Sequence, residues 1–222
     1  MTDDSTPGIR PLLRRAARPD QATSPSFDED AAPADPLALA REWFERAVDG
    51  GVVQPQAMTL STVDGESAQA RTVLLKDLDD AFWFATSSLS PKGKQVAGHP
   101  AVALTFYWRE QGRQIRVTGP AAPGPRDVSV ADFTARHPDS RAVAIAMPQS
   151  DVIDSPQDAR ARLDAAKERI AADDDFAPDD WTAYRVAPTV VEFWQATTGR
   201  DQVRLRYDLE ADGSWSKASL WP

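Results

Sequence analysis

Ala70-Arg-Thr-Val-Leu-Leu-Lys-Asp-Leu78, followed after three residues by Phe82-Trp-Phe-Ala-Thr-Ser-Ser-Leu-Ser-Pro-Lys-Gly-Lys94, is the stretch whose reading decides the fold. Two β-type runs, parted only by Asp79, Asp80 and Ala81, lead to a point where Ser90 can cap a helix and Pro91 can occupy its first turn. Lys92 and Lys94 crowd that helix start. Basic side chains sit badly against the positive end of a helix dipole, so their placement predicts an anion there, and a phosphate fits. Strand alternation puts Arg71, Val73 and Leu75 on one face and Thr72, Leu74 and Lys76 on the other. The cations Arg71 and Lys76 therefore need not serve the same anion. The competing reading makes them solubility charges on an edge strand, with Lys92 and Lys94 in a solvated loop.

Working outward, Asp35-Pro36 reads as an N-cap followed by proline at the first helical position. Leu37, Ala40, Trp43, Phe44, Ala47 and Val48 recur at helical spacing until Gly50-Gly51 stops them. Strands are predicted at about 57–63, 70–78, 81–87, 101–108 and 113–121, with a helix near 91–98 between them. Short links between adjacent strands favour an antiparallel barrel over a doubly wound sheet. Helices near 127–136 and 156–172 follow, the second with Ala159, Leu163, Ala166 and Ile170 on one side. Strands at about 183–195 and 203–209 and a last one reaching Leu220 close the chain. The expected class is mainly β with peripheral helices (α+β). Residues 1–34, rich in Pro, Ser, Asp and Ala, read as a disordered tail before one domain over 35–222.

The 222 residues carry 25 Lys and Arg against 34 Asp and Glu, a net charge of −9, which argues against nucleic acid and anionic membranes as partners. Any positive site has to be built locally. With no cysteine and two histidines, His99 and His137, disulfides, thiolate chemistry, a zinc cluster and a Ser-His-Asp triad all lose their components, and no metal site is expected. There is no apolar run of membrane-spanning length and no signal-peptide pattern at the start, so a cytoplasmic protein is expected. No Gly-x-Gly-x-x-Gly occurs. With side chains so poor in redox or acid–base chemistry, an enzyme built this way leans on a cofactor.

Arg71-Thr-Val-Leu-Leu-Lys76, Phe84-Ala-Thr86, Ser90-Pro-Lys92, Gln114, Gln149-Ser150, Glu192-Phe-Trp194-Gln195, Arg200 and Arg204 resemble, in order and spacing, the pyridoxamine 5′-phosphate oxidase family, from about Asp35 to Pro222. That family's members are FMN-binding split β-barrels working as homodimers. The resemblance implies that FMN is held by Arg71, Thr72, Val73, Leu74, Leu75, Lys76, Ala85, Thr86, Ser90 and Lys92, with Arg71 and Lys92 as countercharges to its phosphate. Gln114 matches the glutamine that hydrogen-bonds the flavin ring. Gln149, Ser150, Trp194 and Arg204 match positions contributed across the dimer interface. Lys76, Arg136 and Ser140 match positions that grip the substrate phosphate, and Arg200 matches the arginine over the substrate ring, with Gln202 beside it as the second catalytic position.

Three departures bear on the donor. Asp132 stands where the family has a phosphate-binding tyrosine, Gln202 where it has a histidine, and Pro91 where it has an FMN-phosphate arginine. The resemblance implies an FMN oxidase that converts pyridoxamine or pyridoxine 5′-phosphate to pyridoxal 5′-phosphate, with O2 as acceptor and H2O2 released. An oxidase of secondary metabolism, of the phenazine-pathway type and acting on a reduced aromatic substrate, is the alternative suggested by Tyr107-Trp-Arg-Glu110 and by positions 132 and 202. A non-catalytic flavin or B6-phosphate binding protein is the third.

Overall fold

A computed structural model describes residues 9–15, 25–197 and 202–222. After a single helical turn, α1 (Arg10–Leu13), comes α2 (Pro36–Asp49), which forms because Asp35 accepts from the Leu37 backbone N–H at 2.9 Å and Pro36 pre-sets the first turn. Its buried side is Leu37, Leu39, Ala40, Trp43 and Ala47. Val48, expected in that stripe, is exposed, and Leu39 takes its place. The chain then runs β1 (Ala57–Asp64), β2 (Ser67–Leu74), β3 (Asp77–Leu78), β4 (Phe82–Ser87), α3 (Pro91–Gly98), β5 (Ala101–Trp108) and β6 (Arg113–Pro123). Three helices follow, α4 (Arg126–Thr134), α5 (Pro138–Ala146) and α6 (Pro156–Ala172), and then β7 (Trp181–Val186), β8 (Val190–Gln195), β9 (Val203–Leu209) and β10 (Trp215–Ser219).

Every pairing is antiparallel, in the order β10-β9-β8-β6-β5-β1-β2, with β3, β4 and β7 branching off β6. Strand β6 is the hinge of the barrel: its first part pairs with β5 and β8, and its end, Ala121–Pro123, pairs with β7. One strand was expected over 183–195. The structure breaks it at Ala187-Pro188-Thr189, where Pro188 has no N–H to give a ladder. Gly119 lies under that break, so close that a Cβ there would stand 1.9 Å from the Ala187 carbonyl oxygen.

The core fills the barrel with Leu60, Phe82, Phe84, Leu104, Phe106, Ile115, Val117, Val191, Phe193 and Leu205, and Trp43 of α2 plugs it edge-on to Phe193 at 5.1 Å. A second cluster, Phe133, Ile170 and Trp181, fastens the helical layer. Residues 27–34, assigned by composition to the tail, pack on this body. Phe27 meets Trp43 at 5.1 Å, Ala32 is buried, and the Pro33 carbonyl accepts from the Tyr207 hydroxyl at 2.7 Å.

Candidate active site

Strand β2 and the start of α3 build one cationic cluster. Ser90 caps α3 by accepting from the Gly93 N–H at 3.2 Å and donating to the Ser87 carbonyl at 2.7 Å. Gly93 is required there, since a Cβ would lie 2.6 Å from the Ser88 carbonyl oxygen and 2.7 Å from that of Ser87. Lys92, only 7% exposed, donates to Thr86 Oγ1 at 3.2 Å and to the side-chain carbonyl of Gln149. Arg71, on the same half-buried face as Val73 and Leu75 as alternation predicted, donates to the Leu60 carbonyl, to Thr62 Oγ1 at 2.7 Å and to Gln95 Oε1 at 2.8 Å. Thr62 and Gln95 were missed from the sequence. Their signal is the β1–β2 register, which sets Leu60 opposite Arg71, and Gln95 in the second turn of α3.

The electrostatics of this cluster are unbalanced. Burial, with repulsion from Arg71 added, pulls the Lys92 ammonium down to about 8, and burial also lowers Arg71. Among the described residues no carboxylate forms an ion pair with either. Two desolvated cations beside a capped helix start are what a phosphate group requires, and hydroxyls of Thr86 and Ser90 stand next to them. Pro91 stiffens the first turn of this helix.

The rest of the 71–76 stretch behaves differently. Val73 and Leu75 pack on the core, while Thr72 and Leu74 are exposed, so their side chains bring no polar group to the Arg71 network. Ala85 packs on the Phe133–Trp181 cluster. Lys76 belongs to a second cluster, where its ammonium pairs with Asp132 at 3.1 Å. Asp132 also accepts from Trp181 Nε1 at 2.9 Å, and the Arg136 guanidinium lies over the Trp181 ring at 4.3 Å. Burial lowers Arg136, with Asp132 opposing, and its Nε is buried without a partner. Ser140 meets Arg136 through its backbone carbonyl at 3.2 Å. Trp181, a further residue unread in the sequence, thus holds both Asp132 and Arg136.

On the barrel wall Gln114 of β6 stands opposite Trp194 of β8, which stands opposite Arg204 of β9. Trp194 Nε1 donates to Gln202 Oε1 at 2.7 Å, leaving the Gln202 amide hydrogens for another acceptor. Arg204 is held by Glu192 at 2.8 Å and by the Trp221 carbonyl, so within the protomer its charge is already paired. Gln149, expected from across a dimer interface, reaches Lys92 of its own chain, from a turn in which Ser150 has φ 74°. Arg200 lies outside the described residues.

An antiparallel barrel with a phosphate-type cation cluster and a separate cationic cluster beyond it defines a protein built to bind phosphorylated or otherwise anionic small molecules. Residues 44–195 match the family model described as pyridoxamine 5′-phosphate oxidase, and residues 181–222 that of the pyridoxine 5′-phosphate oxidase C-terminal dimerisation region. The chain belongs to the pyridoxamine 5′-phosphate oxidase family.

It is 41% identical over 199 residues to a pyridoxine/pyridoxamine 5′-phosphate oxidase of Thermosynechococcus vestitus, covering 88% of this chain and 92% of that one. It is also 38% identical over 196 residues to the enzyme so named from Microcystis aeruginosa, covering 87% and 92%. Among solved structures, PhzG from Burkholderia lata, in complex with tetrahydrophenazine-1-carboxylic acid, superposes with a TM-score of 0.82 at 28% identity, covering 89% of this chain and 98% of that one. An FMN-binding protein of Nostoc punctiforme shares the fold with a TM-score of 0.70 at 17% identity, covering 86% and 100%. The protein is an FMN-dependent oxidase, and the match to the dimerisation region supports a homodimer. No helix among the described residues is long and apolar enough to cross a membrane.

Proposed function

We propose that this oxidase acts on pyridoxine or pyridoxamine 5′-phosphate and yields pyridoxal 5′-phosphate. With the alcohol, one O2 is consumed and one H2O2 formed. With the amine, a water also enters and ammonia leaves. The observation that carries the reading is that Lys76 and Arg136 form a second cationic cluster, distinct from the Arg71–Lys92 cluster. Two anchors suit a site that takes two anionic groups, the cofactor's phosphate and the donor's.

FMN, when bound, supplies the two-electron acceptor. Lys92, Arg71 and the capped start of α3 would hold its phosphate, and Gln114, on the barrel wall, would meet the ring. Lys76, Arg136 and Ser140 fix the far end of the donor, and Gln202, its carbonyl occupied by Trp194, offers N–H donors to an oxygen of the donor; the role of Arg200 toward the donor ring rests on the family resemblance alone. Positioning of this kind turns an encounter into an effectively unimolecular step. Gln149 supports Lys92 within its own protomer, and Ser150 and Trp194 are the positions left to serve a site shared between protomers.

Anaerobic bleaching of the FMN-loaded protein by the two B6 phosphates, reversed by oxygen with pyridoxal 5′-phosphate and peroxide as products, is the expected result. Flavin that stays oxidised with both donors refutes the reading. A second reading, oxidation of a reduced aromatic carboxylate, is favoured by the Lys76–Asp132 ion pair, which removes one charge from the phosphate anchor. Bleaching by such a donor alone selects it.

A further inference from the structure

Asp132 stands inside the cluster that the proposed function assigns to the donor's anionic group. Its Oδ1 is 3.1 Å from the Lys76 ammonium, and its Oδ2 accepts from Trp181 Nε1 at 2.9 Å. The indole that fixes the carboxylate also carries the Arg136 guanidinium on its face at 4.3 Å. The Asp132 side chain is only 13% exposed, and its tie to Trp181 turns it toward Lys76 and away from water. Lys76 and Arg136 bring two positive charges, Asp132 brings one negative charge, and the anchor is left with a net charge of one.

A phosphate monoester carries about −1.5 to −2 at neutral pH and places three acceptor oxygens where Asp132 already occupies Lys76. A carboxylate carries a single charge and needs only one bidentate or paired contact, which Arg136 can give. We propose that Asp132 is a specificity-determining residue that narrows the margin by which the donor site prefers a phosphate dianion over a singly charged carboxylate, so that the site admits both. The proposal rests on the reading of Lys76 and Arg136 as the donor's anchor.

The test uses the FMN-loaded protein at pH 8 with two probes that share a ring and differ in anchor, benzyl phosphate and phenylacetate, titrated by the change in flavin absorbance. The Asp132→Asn and Asp132→Ala variants are expected to shift the ratio of the two dissociation constants toward benzyl phosphate by about tenfold or more, since each removes a like charge in contact range of the second phosphate charge. Asp127→Asn, which removes a charge from the exposed start of the same helix, is expected to leave the ratio within about twofold.

A ratio unchanged in both position-132 variants, with FMN content and circular dichroism retained, overturns the proposal. Should neither variant fold, the wild type decides: phenylacetate binding within about tenfold of benzyl phosphate supports a single-charge anchor, and a phosphate preference beyond that overturns it. Binding of neither probe overturns the anchor assignment and the proposal with it. Failure of the B6 reading appears separately, as flavin that the B6 phosphates do not bleach while the probe ratio still responds to position 132.

Discussion

Lys92→Met should stabilise the cofactor-free protein while crippling its hold on FMN. Burial and Arg71 pull the Lys92 ammonium from 10.5 to about 8, so keeping it charged at pH 7 without an anion costs about 3 kcal/mol. Methionine retains much of the stem's packing and removes the charge, leaving Thr86 and Gln149 to each other at 3.4 Å. The cofactor-free variant should gain about 1–3 kcal/mol, which for a chain of this size raises Tm by roughly 3–9 °C.

The pH dependence has a definite sign. A lowered ammonium pKa means that the folded state binds fewer protons than the unfolded state between about 8 and 10.5, so wild-type stability from this group rises with pH across that window and is lost as pH falls back through about 8. The variant lacks that rise. FMN affinity moves the opposite way, because truncating one partner of a buried charge pair costs about 2–5 kcal/mol, or roughly 30-fold to several thousand-fold in Kd. Thermal unfolding of the cofactor-free proteins and FMN titration by fluorescence quenching read the two effects. A variant no more stable than wild type that binds FMN within threefold of it would refute the reasoning.

Gln95→Leu takes one acceptor from the Arg71 guanidinium and should weaken FMN binding by about 5- to 30-fold through misplacement of a charge it never itself contributes; equal FMN affinities would remove Gln95 from the site. Gln202 cannot titrate, so Gln202→His should add a limb near pH 6.5 to the kcat/KM profile that the wild type, measured with the same donor, lacks; superimposable profiles contradict this. Gly93→Ala should lower FMN content in purified protein, because the start of α3 must retreat from the Ser87 and Ser88 carbonyls; full loading would refute the close approach. Deleting residues 1–24 should leave FMN content and Tm unchanged. Extending the deletion to 34 should lower Tm by several degrees, since Phe27 and the Tyr207–Pro33 hydrogen bond together are worth about 3 kcal/mol. Equal Tm values would return residues 25–34 to the tail.

What could be read without coordinates was local. Asp35-Pro36 starts a helix, Ser90-Pro91 starts another, and alternation sets Arg71 and Lys76 on opposite faces, because caps, fixed φ angles and the two-residue strand period act over a few residues. Local signals failed where the pattern was weak. The helix Pro138–Ala146 escaped because it buries mainly alanines, Ala142 and Ala146, beneath a polar first turn. The strand expected over 183–195 runs through Pro188, whose missing N–H interrupts the ladder, while Gly119 lets the two backbones approach closely at the break.

The site's charges were decided by tertiary structure. Lys76 is 56 positions from Asp132, and Lys92 is 57 from Gln149, so no spacing rule pairs them. Residue identity set which charges exist. Only the folding of α4 and the 148–151 turn onto the barrel determined that Lys76 is neutralised while Lys92 and Arg71 are left for an anion, because pairing and desolvation depend on distance and burial in space.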